Sequence, residues 1–350
     1  MSAHLANPLR FLVLGVLCVV CTLEGRAQTE GEGDYARGVV EFRAGNYSSA
    51  ADLLARAEAA SPGTSDALLF EGKALIHLSN FPAAERVLQR YIVSHHDSSD
   101  ALYLLGFVLH RENRPAESLA AYTRADAIDP ATGDDLKIVA LDYVLLDDYA
   151  DAIKWLQSAV ERNPKNKDAW YYLGRACYTK SRLAEARQAF LMVLSLDPQD
   201  SRAENNLGLI YETDGRPEAA VDAYRKAIAW QDLGQHPSEQ PYVNLGNLLM
   251  EQGQIKEALA PLAKAVELAP NDAFCHLSLG IAYWKNGKVE QAQHELETAT
   301  RLEPDNSTAH YQLGRVYKEE HALDRAQAEF AKTAELKAKA AGLPSPPPNR

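Results

Sequence analysis

The sequence predicts an all-α solenoid, and three columns of residues carry that reading. A glycine returns about every 34 residues, at Gly38, Gly72, Gly106, Gly174, Gly208, Gly246, Gly280 and Gly314, with Ala140 completing the series. Twelve residues after each stands a second small residue: Ala50, Ala84, Ser118, Ala152, Ala186, Ala220, Ala258, Ala292 and Ala326. Four residues further stands a bulky apolar one: Leu54, Leu88, Tyr122, Leu156, Phe190, Tyr224, Leu262, Leu296 and Phe330. A fixed period of this length marks stacked supersecondary units.

Each unit reads as two helices. In the fifth, residues 169–179 place Trp170, Leu173 and Cys177 on one stripe. A break at residues 180–182 follows, and Ala186, Phe190 and Val193 line the second helix. The two small columns remove side-chain bulk where the helices cross, so the backbones approach closely. The bulky column is expected to fill the groove between neighbouring units. Gly45, Asn113, Gly215, Gly253 and Gly287 stand where a helix ends, and these residue types accept the left-handed conformation that closes one. Pro62, Pro130, Pro164, Pro198, Pro270 and Pro304 fall between units, where a helix must stop. No single helix pair buries both of its apolar faces, so stacking the pairs makes the core.

This period and pattern resemble the tetratricopeptide repeat. The resemblance covers nine units: 31–64, 65–98, 99–132, 133–166, 167–200, 201–234, 239–272, 273–306 and 307–340. It implies a right-handed α-α superhelix whose first helices line a concave face. Unit one carries Asp34, Arg37 and Glu41 where other units are apolar, which suits a cap with no predecessor to pack against. Lys332, Glu335, Lys337 and Lys339 load the last helix with charge, and lysine near a helix C-terminus suits the dipole. The proline-rich tail at 341–350 is expected to be disordered, with no separate capping helix before it. Four extra residues near 235–238 shift the phase between units six and seven. With Gly234, Pro237 and Pro241 close by, they read as a tolerated loop, or alternatively as a hinge between blocks of six and three units.

Residues 1–27 read as a secretory signal peptide. Arg10 precedes an apolar run from Phe11 to Val20, and Gly25-Arg26-Ala27 forms a small-residue cleavage site before Gln28. The run is shorter than the roughly 18–20 residues of a spanning helix. Export to the periplasm or medium is expected, with an uncleaved membrane anchor as the alternative. Cys18 and Cys21 follow large residues, which argues against lipidation. Cys177 and Cys275 lie three units apart, too far for a disulfide, and read as small hydrophobes. The formal charge is −12, and no basic tract occurs, so nucleic acid is a poor partner.

Signs of catalysis are missing from the pattern. No phosphate-binding glycine loop, zinc-ligand spacing or nucleophile elbow occurs, and the glycines recur at the packing period. His95-His96 and Asp147-Asp148 read as polar turns, and the sequons at Asn46 and Asn306 also fall in turns. No metal, no cofactor and no enzymatic activity are expected.

Function is expected on the concave face, which the resemblance assigns to the second, fifth, sixth, ninth, twelfth and thirteenth residues of each unit. Unit five contributes Tyr171, Tyr172, Arg175 and Tyr178. Units six and seven contribute Asn205, Asn206, Asn244 and Asn247, with Glu212 and Glu251. Units eight and nine add Trp284, Lys285, Arg315 and Lys318. Asn206 and Asn244 precede Leu-Gly at the position where peptide-binding arrays of this kind carry a backbone-binding asparagine. An amide side chain both donates and accepts, so it pairs with a peptide group of any sequence, or else with a neighbouring helix. Tyrosine offers rigid area with a polar tip. The lysine, asparagine and arginine set of a two-carboxylate clamp is not reproduced across three successive units. The expected function is a scaffold that binds a protein or peptide segment. The alternatives are an assembly factor or subunit of an envelope complex, or an accessory module of a separate enzyme chain.

Overall fold

The computed structural model describes residues 29–63, 66–231 and 237–341. The expected signal peptide, residues 232–236 with the start of the insertion, and residues 342–350 lie outside the described residues. Eighteen helices and, among the described residues, no strand make up an all-α solenoid. Contacts divide the chain into two units, residues 1–180 and 181–350. This division falls inside the fifth repeat and not at the insertion.

The first unit contains α1 (residues 29–43), α2 (Tyr47–Ala60), α3 (Ala67–His77), α4 (Phe81–Ser94), α5 (Ser99–Arg111), α6 (Pro115–Asp126), α7 (Gly133–Leu145), α8 (Tyr149–Arg162) and α9 (Lys167–Thr179). The second contains α10 (Leu183–Leu196), α11 (Ser201–Thr213), α12 (Pro217–Gln231), α13 (Gln240–Glu251), α14 (Ile255–Leu268), α15 (Ala273–Lys285), α16 (Val289–Leu302), α17 (Ser307–Glu319) and α18 (Leu323–Ala340). Odd-numbered helices open the repeats and even-numbered helices close them.

The glycine column has a more specific role than a plain helix crossing. A β-carbon on Gly106 would meet the ring of Tyr122 at 2.7 Å, and one on Gly246 would meet Leu262 at 2.4 Å. The bulky residue therefore seats on the glycine of its own repeat, sixteen positions earlier. Leu54, Leu88, Leu262 and Leu296 are wholly buried in this way. Burial of such a side chain contributes roughly 1.5–3 kcal/mol.

Helix termini follow the same period. The left-handed backbone recurs at Gly45, Asn113, Gly215, Gly253 and Gly287, as the sequence predicts, and also at Ser79, Asp147, Ser181 and His321. In six repeats the closing residue caps the next first helix. Ser98, Asn166, Asp200, Asp272 and Asn306 accept from backbone N–H groups of the first turn, and Thr132 forms a capping box with Asp135. The sequon asparagine Asn306 is thus a helix cap that accepts from Thr308 N and Ala309 N. The fourth residue of several repeats braces the preceding turn. Trp170 Nε1 donates to Pro164 O at 2.9 Å. His276 and His310 set Nε2 3.0 Å from the carbonyls of Pro270 and Pro304, and Nδ1 against Glu295 and Glu329.

Two departures from the repeat pattern are resolved by polar contacts. In the first repeat, Asp34 pairs with Arg37 and with Arg56, the latter at 2.9 Å, so the outer face is polar. At the insertion, the buried side chain of Gln231 donates to Ser238 O at 2.8 Å and accepts from Ser238 N at 3.1 Å. This two-point clamp holds the last residue of the inserted segment. A third departure is Glu71, which stands in the column that holds Leu105, Val139 and Leu173 in the following repeats. Burial pushes its carboxyl up to about 7, partly offset by Arg90 and reinforced by Glu58.

Candidate functional site

The first-helix face of each unit carries the predicted site residues. Tyr171, Tyr172, Arg175 and Tyr178 stand on α9 in the first unit. Asn205, Asn206, Asn244, Asn247, Trp284, Lys285 and Arg315 stand on α11, α13, α15 and α17 in the second.

In the second unit, successive first helices are cross-bonded. Asn244 Nδ2 on α13 donates to Asn205 Oδ1 on α11 at 3.0 Å, and Asn205 is buried. Asn206 Nδ2 donates to Arg202 O, one turn back on its own helix, at 2.7 Å. The asparagines of one column are therefore engaged differently: Asn244 ties two repeats together and Asn206 rests on its own backbone. Asn247, one turn further along α13, is half-buried and has no hydrogen-bond partner among the described residues. Its amide remains able to donate and accept.

Further along this unit, Trp284 Nε1 on α15 donates to Glu319 Oε2 on α17 at 2.6 Å. The Arg315 guanidinium lies 3.9 Å from the Trp284 ring centroid, and its Nη1 donates to Gln312 Oε1 at 3.2 Å. A cation on an indole face contributes roughly 0.5–2 kcal/mol, and the stacked guanidinium keeps other donors for a ligand. Phe274 and Tyr311, in the second and fifth columns, are 52% and 43% exposed. Lys285 and Lys318 are exposed and have no ion pair among the described residues. This face therefore combines aromatic area with positive charge. Glu212 is engaged by the Tyr224 hydroxyl at 2.9 Å.

In the first unit, the rings of Tyr171 and Tyr172 meet edge to face at 5.6 Å, both half-buried, and Arg175 is exposed beside them on α9. The more enclosed feature lies elsewhere. A cavity of about 470 Å³ opens between α5 and α7, walled by Tyr103, Leu104, Phe107, Tyr122 and Ile138. Asp100, Asp129, Asp134, Asp135 and Lys137 also line it. The sequence reading took its site columns only from the fifth repeat onward and missed this cavity. The same columns in repeats three and four hold Asp100, Tyr103, Leu104, Phe107, Asp134, Lys137 and Ile138, so the signal was present.

The cavity has a negative character. Tyr103 donates its hydroxyl to Asp129 O at 2.6 Å. Burial, then the charges of Asp126, Asp135 and Asp129, push its phenol up to about 12. Burial raises the Tyr122 phenol too, with Asp135 and Asp142 adding to it. Asp142 is wholly buried and accepts from His110 through Oδ1 at 2.7 Å, while its Oδ2 has no hydrogen-bond partner among the described residues.

Other candidate chemistry resolves into structure. The ring of His95 stacks on Tyr91 at 4.1 Å. Cys177 and Cys275 are buried and form no disulfide with each other, and burial pushes the Cys275 thiol up to about 12, the opposite of an activated nucleophile. Among the described residues, no group of three or more His, Cys, Asp or Glu side chains could hold a metal ion, and no helix is long and apolar enough to cross a membrane.

Tetratricopeptide repeat models match residues 41–106, 99–132, 140–201, 202–232 and 277–341, and a TPR repeat model matches 246–287. The BBSome complex member BBS4 of Bos taurus is 23% identical over 59% of this chain and 40% of its own length. Anaphase-promoting complex subunit 3 of Schizosaccharomyces pombe is 22% identical over 69% of this chain and 36% of its own length. A probable UDP-N-acetylglucosamine–peptide N-acetylglucosaminyltransferase SPINDLY of Hordeum vulgare is 25% identical over 39% of this chain and 15% of its own. The chain thus spans less than half the length of these curated relatives. Among solved structures, the APC/C hetero-tetramer Cut9-Hcn1 superposes with a TM-score of 0.58 at 16% identity, covering 77% of this chain and 52% of that one. The type IV pilus biogenesis factor PilW superposes with a TM-score of 0.52 at 20% identity, covering 59% and 92%. At these identities the likeness is one of fold.

Proposed function

Because the chain belongs to the tetratricopeptide repeat family, we propose that it is an exported, non-enzymatic scaffold that holds a protein or peptide segment against its first-helix face. The observation that carries this reading is Asn247. It is a half-exposed amide with no hydrogen-bond partner among the described residues, on a face whose other asparagines named above are engaged. An extended segment brings a backbone N–H and C=O at every residue, which is what an unpaired amide accepts and donates to. In the second unit, Asn206 and Asn244 present their remaining acceptor oxygens, and Trp284, Lys285 and Arg315 supply stacking area and charge. On α9 of the first unit, Tyr171, Tyr172, Arg175 and Tyr178 offer a comparable set. Export rests on the apolar leader and its small-residue cleavage site.

The test pairs capture with stability. Asn247→Ala together with Arg315→Ala should weaken capture of native partners about five- to 150-fold, as expected for two lost hydrogen bonds of about 0.5–1.5 kcal/mol each. The melting curve should stay within a few degrees of the parent, because neither side chain is core. Full capture by a folded variant would move the binding surface off this face and favour the alternative, an assembly subunit joined through its ends or its second-helix surface.

A further inference from the structure

Resting on the segment-binding reading, we propose that the groove between α5 and α7 seats a lysine or arginine side chain carried by an extended partner segment. The walls are aromatic and aliphatic, with Tyr103, Phe107 and Tyr122 presenting ring surface. The rim is acidic. Of its four aspartates, Asp100 is met by Lys73 at 2.6 Å and Asp134 by Lys137 at 3.8 Å. Asp129 and Asp135 have no ion-pair partner among the described residues. Asp135 is held by Thr132 in the capping box, so its charge is fixed at the mouth without being neutralised.

A second feature reinforces the sign. The wholly buried Asp142 carboxylate, with one oxygen unpaired, acts on the Tyr122 hydroxyl in the groove wall. The groove thus has negative charge at the rim and beneath one wall, with apolar surface between. An anionic ligand is repelled. A purely apolar side chain would fill the walls but strip water from the rim carboxylates without replacing it, which is unfavourable. A long cationic side chain satisfies both requirements. Its methylene stem lies along Leu104 and Ile138, and its head reaches Asp129 and Asp135 or the face of an aromatic ring.

The experiment presents the full-length chain with an equimolar mixture of blocked nonapeptides randomised at every position, and sequences what is retained. The parent should enrich lysine or arginine at least threefold over the input. In Asp129→Asn/Asp135→Asn, which preserves shape and leaves an amide oxygen at 135 to accept from Thr132, that enrichment should fall to the input level. Asp52→Asn/Asp97→Asn removes the same charge from exposed positions that do not line the groove, and should keep the enrichment. Peptides retained with no basic preference, or a preference that survives Asp129→Asn/Asp135→Asn, would overturn the cation seat and leave segment binding standing. If the parent retains no peptide at all, both the seat and the segment-binding reading fail.

Discussion

A β-carbon placed on Gly208 would lie 2.4 Å from Cε1 of Tyr224, sixteen residues later in the same repeat. Tyr224 is wholly buried, and its hydroxyl donates to Glu212 on the first helix of that repeat. The ring is therefore fixed at both ends and cannot move aside cheaply. The same seat recurs between Gly38 and Leu54, Gly72 and Leu88, Gly280 and Leu296, and Gly314 and Phe330.

Gly208→Ala should accordingly destabilise the fold by about 1–3 kcal/mol, the usual cost of overpacking, despite alanine's better helix propensity. Tyr224→Leu in the same chain should recover part of that loss, so the two changes should be non-additive in a double-mutant cycle. Native-state hydrogen exchange should show the loss of protection first in α11, α12 and α13, because a repeat contacts its neighbours in sequence. Additive effects would mean that the glycine is not a seat for this ring.

Glu71 should make stability depend on pH. Its carboxyl is raised from 4.5 to about 7, chiefly by burial. Below pH 4.5 both states hold the proton. Between 4.5 and 7 the unfolded chain releases it while the native chain keeps it, so stability falls as pH rises, and above 7 the loss is complete. With allowance for its partial exposure, the penalty is about 1–2 kcal/mol. Glu71→Gln should raise the melting temperature at pH 8 and leave it nearly unchanged at pH 4.5. An equal shift at both values would show that the carboxylate charge is not what weakens this site.

His321 adopts φ 58°, where its repeat equivalents Gly253 and Gly287 stand at 77° and 75°. The left-handed region costs a residue with a β-carbon roughly 1–2 kcal/mol, and glycine's extra freedom in the unfolded chain offsets part of the gain. His321→Gly should therefore stabilise the last repeat by about 0.5–1 kcal/mol in denaturant titration. A loss of stability would point to contacts of the histidine ring that outweigh the backbone.

N-terminal sequencing of the exported chain should find Gln28 first, as the small residues at Gly25 and Ala27 predict. A chain beginning at Met1 and requiring detergent for extraction would favour the anchor.

The repeat made the helices, their order and the core columns legible in the sequence, because a period repeated nine times overrides local ambiguity. The capping residues Asn166, Asp200 and Asn306 are equally legible, since each stands at the end of its repeat. Ser79, Asp147, Ser181 and His321 were not recognised as left-handed positions because the repeat geometry forces a conformation their side chains disfavour. The site was harder to read. Column position placed Asn206 and Asn244 alike, yet Asn244 bonds across to Asn205 and Asn206 bonds to its own helix. Which amide stays free depends on side-chain geometry between repeats, and a column does not encode that. The acidic groove between α5 and α7 needed residues from two helices and the turn at Asp129 to come together, and its aspartates look like ordinary helix-start residues along the chain.

If the first-helix face holds the partner, site-specific photo-crosslinking from that face should capture it. A photoreactive amino acid would replace Asn247 on the first helix of repeat seven or, in a separate chain, Lys264 on the exposed side of its second helix. Each chain would be irradiated in its native compartment, and the crosslinked peptides mapped. A partner segment should be crosslinked from position 247 and absent from 264. A partner crosslinked from 264 and not from 247 would contradict it.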